Sequence, residues 1–448
     1  MELEFFQKNK KLVLLVIAAL IALGLGIGFK IKTSAIEIDG KYSISDDKFK
    51  KSLRSQLSKN AEILTIIDEN SGVSRPDEDM GSNTSNSGIK SDTALIVYKT
   101  EDKNNPLRVM IMKRSGGSWM EVETIGNIGE SYEEIGLEDM DRDGEPEVIL
   151  GLGASKNSNN SIMIYKREGN KYARKINEKY EEIFIDDFDG DGSKVLVTLR
   201  KNPESDSLSL NAFSFLTNGE IKKHSCNVGS IEEKLSVKLN RLNDVNKGFT
   251  VQKELENKNS EIMVYKLENY KFSIVPIDGE NVLRNSYFVE VDDKNGDRIV
   301  DIPIQKKTHS SMSEESGKSP YINYWSEFDR DFVLHTVMRE YRSEENRFVF
   351  NIPNSWGENV DIKIKRDENR EKNSIIFDTF DENDNYRNKI TIGVYSLQEW
   401  LRMLPEEVNK DNIIFKSENK VYVLEASSGE EETDISSVKS NFRVMYDL

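Results

Sequence analysis

Acidic side chains fall on alternate residues in Asp139-Met-Asp141-Arg-Asp143-Gly144-Glu145-Pro-Glu147, with glycine at the sixth position. Asp187-Phe-Asp189-Gly-Asp191-Gly192-Ser193 repeats the opening of that pattern. Asp293-Lys-Asn295-Gly-Asp297-Arg-Ile-Val-Asp301 repeats it with one amide among the acids. Oxygens at positions 1, 3, 5 and 9 of a tight loop can curl around one centre. A hard cation such as Ca2+ takes about six to eight oxygen ligands, and calcium is the ion these loops are expected to hold. The glycine at position 6 supplies the positive φ of a sharp turn. Glu145 and Ser193, at position 7, would lend backbone carbonyls. By ligand type the first loop is richest, with four acids; the third follows with three acids and an amide, then the second with three acids.

The flanks of each loop alternate with period two, as half-buried strands do. Ile135 and Leu137, Ile183 and Ile185, and Val289 and Val291 precede the three loops. Val148-Ile149-Leu150, Val195-Leu196-Val197 and Ile299-Val300-Asp301-Ile302 follow them. Each unit is therefore expected to be strand–loop–strand. An EF-hand would need helical flanks and a chelating glutamate at position 12, where this chain has Leu150, Thr198 and Ile304. A worn fourth copy stands at Asn243-Asp244-Val-Asn246-Lys-Gly248. Successive loops lie roughly fifty residues apart with about four short strands between them, which is the period of a β-propeller blade. Blades are drawn from about residues 61, 134, 182, 234 and 286. The fold predicted is mainly β, a propeller of about five four-stranded blades over 61–344.

Asp-x-Asp-x-Asp-Gly-x-x-Glu between two strands, repeated at blade spacing, resembles the FG-GAP or VCBS repeats of integrin-type proteins over roughly residues 61–340. The resemblance implies calcium in the loops and an extracellular recognition platform. The FG and GAP tripeptides are absent, Val195 replaces the position-9 acid of the second loop, and Arg298 stands at position 6 of the third.

Residues 12–29, LVLLVIAALIALGLGIGF, carry no charge. As a helix they would span about 27 Å, close to the hydrocarbon thickness of a bilayer. They are read as an uncleaved single-pass signal-anchor after a short cytoplasmic segment, 1–11, with a cleaved signal peptide as the alternative. A stalk over 30–60 is expected to include a helix with Ser45 as N-cap and Phe49, Leu53 and Leu57 on one face. Residues 69–92 and 305–320 are polar loops. Beyond a composition change near 345 a small α+β domain is expected over 345–448. Its Ile352-Pro353-Asn-Ser-Trp356 entry is similar to small secreted modules of the PsbP-like family.

A formal net charge of −17 over 448 residues argues against nucleic acid, whose phosphates need clustered Lys and Arg. The one cysteine, Cys226, rules out an internal disulfide framework. His224-Ser-Cys226 lacks an orienting third group for nucleophilic catalysis. Ser436-Ser-Val-Lys439 lacks the companion motifs of penicillin-binding enzymes, and Gly151-Leu-Gly153 is followed by polar loop and not by a phosphate-binding helix. Three of the four tryptophans read as core. Trp325, grouped with Tyr321 and Tyr324, reads as core or as part of a ligand-facing surface. No catalytic constellation stands out. The expectation is a membrane-anchored, extracytoplasmic binding, adhesion or scaffold module with an envelope protein or glycan as ligand. An envelope hydrolase or lyase, or an accessory subunit of a secretion, signalling or sporulation machine, is the alternative.

Overall fold

The computed structural model describes residues 47–68, 92–103, 105–126, 128–153, 160–202, 204–230, 234–256, 258–309, 320–367, 369, 371–403, 410–427 and 435–445. The expected membrane span, the Ser45 N-cap and most of both polar loops lie outside them. Among the described residues no helix is long and apolar enough to cross a membrane. One compact unit comprises the chain up to Asp186 with Ser193–Lys201 and Leu210–Lys223; the other comprises Asp187–Gly192, Asn202–Ser209 and His224–Leu448.

In the first unit, helix α1 (Asp47–Gln56) leads into a sheet of β1 (Glu62–Asp68), β2 (Thr93–Lys99), β3 (Leu107–Ser115) and β4 (Ser118–Ile125), antiparallel and in chain order. Strand β2 is buried on both faces, and its alternation sorts the two. Ala94, Ile96 and Tyr98 lie under α1, while Leu95 and Val97 enter a core shared with β5 (Tyr132–Glu138) and β6 (Glu147–Leu152). The helix docks through Phe49, Leu53 and Leu57, and Phe49 meets Trp119 edge-on at 5.0 Å. This part of the expected stalk is thus packed into the body of the unit. A second sheet continues β5 and β6 through β7 (Ser161–Glu168) and β8 (Lys171–Lys179).

The third sheet runs β9 (Glu182–Asp186), β10 (Val195–Asn202), β11 (Ser207–Phe215), β12 (Ile221–Ser230). The fourth runs β13 (Lys234–Arg241), β14 (Lys247–Glu254), β15 (Ser260–Glu268), β16 (Lys271–Val275), with β17 (Leu283–Asn285) also on β15. Four consecutive antiparallel strands are the meander from which propeller blades are made. The sheets begin at 62, 132, 182 and 234, close to the predicted blade starts.

The fifth start departs from expectation. No strand leads into the third acidic loop, and β17 extends the fourth sheet's edge instead. Val289 and Val291 are buried all the same, held by the side chain of Gln252. Its Nε2 donates to the Val289 carbonyl at 2.6 Å and its Oε1 accepts from the Val291 N–H at 3.2 Å. A side-chain amide does here what a strand partner does elsewhere, and an isolated bridge between Asp292 and Asp301 closes the loop.

The fifth sheet orders β18 (Ile302–Lys307), β19 (Tyr321–Phe328), β20 (Leu334–Ser343), β21 (Phe348–Ile352) and β27 (Phe442–Val444). The β20–β21 hairpin pairs Arg339 with Ile352 and so crosses residue 345, where the composition changes. The sixth orders β22 (Val360–Asp367), β23 (Lys372–Phe380), β24 (Tyr386–Ser396), β26 (Lys420–Ser427) and β25 (Ile413–Lys416). Tyr341, Phe348 and Phe350 of the fifth sheet share one core with Phe377 and Tyr422 of the sixth. Short helices α2 (Leu397–Arg402) and α3 (Ile435–Asn441) complete the region. In α2, Leu397 and Trp400 pack inward while Leu401 is exposed. Trp325 is fully buried, which removes it from any ligand-facing surface.

Candidate metal centres on the acidic loops

The three acidic loops share one pattern of hydrogen bonds, in which the first loop uses position 5 where the other two use position 4. In each, the first aspartate turns its carboxylate back onto the loop's own N–H groups. Asp139 accepts from Asp143 at 3.1 Å and Gly144 at 3.0 Å; Asp187 accepts from Gly190 and Gly192, both at 2.9 Å; Asp293 accepts from Gly296 at 2.7 Å and Arg298 at 2.8 Å. Positions 4 and 6 are left-handed in all three: Arg142 and Gly144, Gly190 and Gly192, Gly296 and Arg298. The position-9 acid, where present, takes the N–H of position 2: Met140 to Glu147 at 2.8 Å, and Lys294 to Asp301 at 2.6 Å. The repeat read from spacing is a repeat of geometry.

In the first loop, oxygens of Asp139, Asp141 and Glu147 lie within 4.8 Å of one another. Asp141 and Glu147 are buried, and Asp141 Oδ1 has no hydrogen-bond donor. Lys166, on β7, sends its ammonium into this group. It bonds Asp141, Asp143 at 2.7 Å and Glu147 at 3.1 Å. Burial pushes Glu147 up to about 7 against the opposing pull of the Met140 N–H and Lys166. Burial also opposes the charge on Lys166, but its three carboxylate bonds win and raise its pKa. Asp143 ends below the ordinary range, its burial outweighed by the bond to Lys166 and the Glu145 N–H. The Glu145 side chain pairs with Lys113 at 2.5 Å and Arg167 at 3.0 Å.

The second loop gathers Asp187, Asp189 and Asp191, again with oxygens within 4.8 Å. Burial, then the charges of Asp191 and Asp187, raise the pKa of Asp189. Val195 opens β10 at position 9, so no carboxylate closes this shell, and Ser193 can add only oxygen ligands from position 7.

The third loop does not bring three of its own acids within that distance; they spread around Asn295. The Asn295 amide donates to Asp297 at 3.3 Å and to Glu327 at 2.5 Å. Glu327 lies on β19, outside the acidic motif. Its carboxyl and that of Asp301 stand close enough to share a proton, and burial raises both pKa values, Glu327 to about 7. With both ionised, Oδ1 of the fully buried Asp301 has no donor. Among the described residues no ion pair reaches Asp293, Asp297, Asp301 or Glu327; Lys294 turns to Asp292 at 2.9 Å.

The worn fourth copy is satisfied internally. Buried Asn243 accepts from Val245 at 3.0 Å and Asn246 at 2.7 Å, and donates to the Asp329 carbonyl at 3.1 Å. Asp244 pairs with Arg330.

Lys166 and Glu327 are the two residues that spacing did not point to. They occupy the same rung. Val148 pairs with Tyr165, so the next step sets Glu147 beside Lys166; Ile302 pairs with Ser326, so the next step sets Asp301 beside Glu327. His224 Nδ1 accepts the Phe272 N–H at 3.2 Å, Cys226 is half-buried, and Ser436-Ser-Val-Lys439 lies on α3, with Val438 buried.

The carboxylates gathered in the first two loops are oxygen donors of the kind that could hold a hard cation. The sequence matches no protein-family model and no curated protein. Among solved structures, a protein from Lactobacillus plantarum aligns at 9% identity and a TM-score of 0.27, covering 67% of this chain and 82% of that one. A likeness that remote carries no weight for fold or function.

Proposed function

We propose that this protein is a membrane-tethered, extracytoplasmic binding or scaffold protein of a bacterial-type envelope, with a β-propeller body stiffened by calcium. The reading rests above all on one observation, the acidic loops whose first aspartate accepts from the loop's own N–H groups, two of which gather three carboxylates with oxygens within 4.8 Å of one another. Ionised carboxylates in such places are costly unless a cation compensates them. An ion held by the folded chain alone stabilises it by linkage, by about 2.7 kcal/mol at a hundredfold excess over Kd. The role assigned to calcium is structural. The uncharged run 12–29 supports the tether, and the likeness of the loops to FG-GAP or VCBS repeats supports a recognition face presented to an envelope protein or glycan.

The test is thermal melting and calorimetric titration of the full chain in detergent, with calcium and with chelator. Calcium is expected to raise the Tm and to give a finite stoichiometry. Identical melting in both conditions, with no heat of binding, overturns the reading. Cell fractionation checks the tether: deletion of 12–29 is expected to release the protein from the membrane fraction.

A further inference from the structure

We propose that the outward face of α1 is a membrane-contact surface, whose lysines and arginine rest on the anionic lipid headgroups of the bilayer that holds the protein's own anchor. This rests on the tether reading above and deepens it: the body is laid against the membrane by one chosen face.

Helix α1 sorts its side chains by face. Phe49, Leu53 and Leu57 are buried in the core beneath it, and the Ser52 hydroxyl donates to the Trp119 carbonyl on β4. Lys48, Lys51, Arg54 and Ser55, three or four residues apart, are exposed on the other side. Lys59 is exposed in the turn that follows. Residues 47–59 hold five basic residues and one acid, in a chain whose net charge is −17. Elsewhere surface cations find carboxylates within the chain, as Lys113 and Arg167 do in Glu145 and Lys223 does in Glu178. Among the described residues no ion pair reaches Lys50, Lys51, Arg54 or Lys59.

Charge and chain length name the occupant. Seventeen residues separate the uncharged run 12–29 from α1, a length that reaches at most about 60 Å and as a flexible coil about 20–25 Å. The helix is therefore confined near the bilayer surface. Each Lys or Arg near an anionic lipid surface strengthens binding about fivefold, while the acidic remainder of the chain is repelled by it. The exposed face of α1 carries no apolar residue, so the contact it fits is with headgroups and not with the acyl layer.

The experiment places the full chain in lipid nanodiscs made of phosphatidylcholine alone or with anionic phosphatidylglycerol. Brief acetylation by an N-hydroxysuccinimide ester, read by mass spectrometry, gives the accessibility of each lysine. Lys48 and Lys51 are expected to react about fivefold or more slowly in the anionic discs. That slowing is expected to vanish in about 1 M salt, where the screening length is about 3 Å. Lys51→Glu with Arg54→Glu is expected to return Lys48 to its neutral-disc rate; Lys51→Gln with Arg54→Gln replaces it should that variant fail to fold. Equal rates in the two discs, or slowing that survives salt or the paired substitution, overturn the contact surface and leave the tether standing in a chain that elutes with the discs. A chain that elutes with neither disc overturns both.

Discussion

The first and third acidic loops carry nearly the same motif on closely similar internal hydrogen bonds, yet their electrostatics are opposite. Around Asp141 and Glu147 the chain has placed a lysine; around Asp301 it has placed another acid. One loop carries its own compensating charge, and the other sets two carboxyls close enough to share a proton. Loop spacing therefore specifies a cage, while the strand across the ladder specifies what fills it. Charge-assisted bonds in a buried group are strong when complete and expensive when one partner is lost, so this single rung sets how each loop responds to ions and to pH.

The largest effect should come from removing the built-in cation. Lys166→Met leaves Asp141 and Glu147 buried without a counter-charge, a loss of about 3 to 5 kcal/mol for a broken buried pair. Proton uptake by Glu147, already raised to about 7, would soften that loss. Denaturant melts in chelator measure it. Saturating calcium should restore much of the stability in this variant, and it should do so only because the cage is then open. A variant as stable as wild type in chelator would break the contrast between the loops.

A smaller effect follows from pH. Glu147 and Glu327 both titrate near 7 in the folded chain, against 4.5 for the free group. The folded state thus binds more protons than the unfolded state between those values. The contribution of these two groups to stability in chelator is full below about pH 4.5 and is lost as pH rises through about 7. Glu327→Gln should flatten part of that fall and raise the Tm at pH 8 in chelator, whereas loss of a merely structural contact would lower it. Melting curves from pH 5 to 8 in chelator provide the check.

The sequence made some of this legible and hid the rest for a physical reason. Period-two patterning exposed strands such as β5, whose Ile135 and Leu137 are buried, and Phe49, Leu53 and Leu57 exposed α1. Acid spacing exposed the loops themselves, because their ligands are local in sequence. Lys166 and Glu327 stayed hidden because a rung is a property of pairing between distant strands, and pairing is not written in spacing. The same holds for Gln252, which replaces a strand beside Val289 and Val291. It holds as well for the β20–β21 hairpin that crosses the composition change near 345. Trp325 stood beside tyrosines that suggested a surface, yet its neighbours in space bury it completely.

The smallest predicted effect separates backbone from charge in the same two loops. Each has one arginine at a left-handed position, Arg142 at position 4 (φ 59°) in the first and Arg298 at position 6 (φ 74°) in the third. The partner position in each is glycine, Gly144 at φ 85° and Gly296 at φ 83°. A side chain there costs about 1 kcal/mol or more, while glycine costs the unfolded chain about 0.5 to 1 kcal/mol in entropy. Arg142→Gly and Arg298→Gly should therefore each stabilise by no more than about 0.5 kcal/mol. Gly144→Ala should destabilise by about 1 kcal/mol even though open space surrounds its Cβ position, because the strain lies in φ and not in contact. None of the three should change calcium stoichiometry, since none removes a candidate ligand side chain. A change in stoichiometry with Arg298→Gly would mean that the turn itself selects the ion.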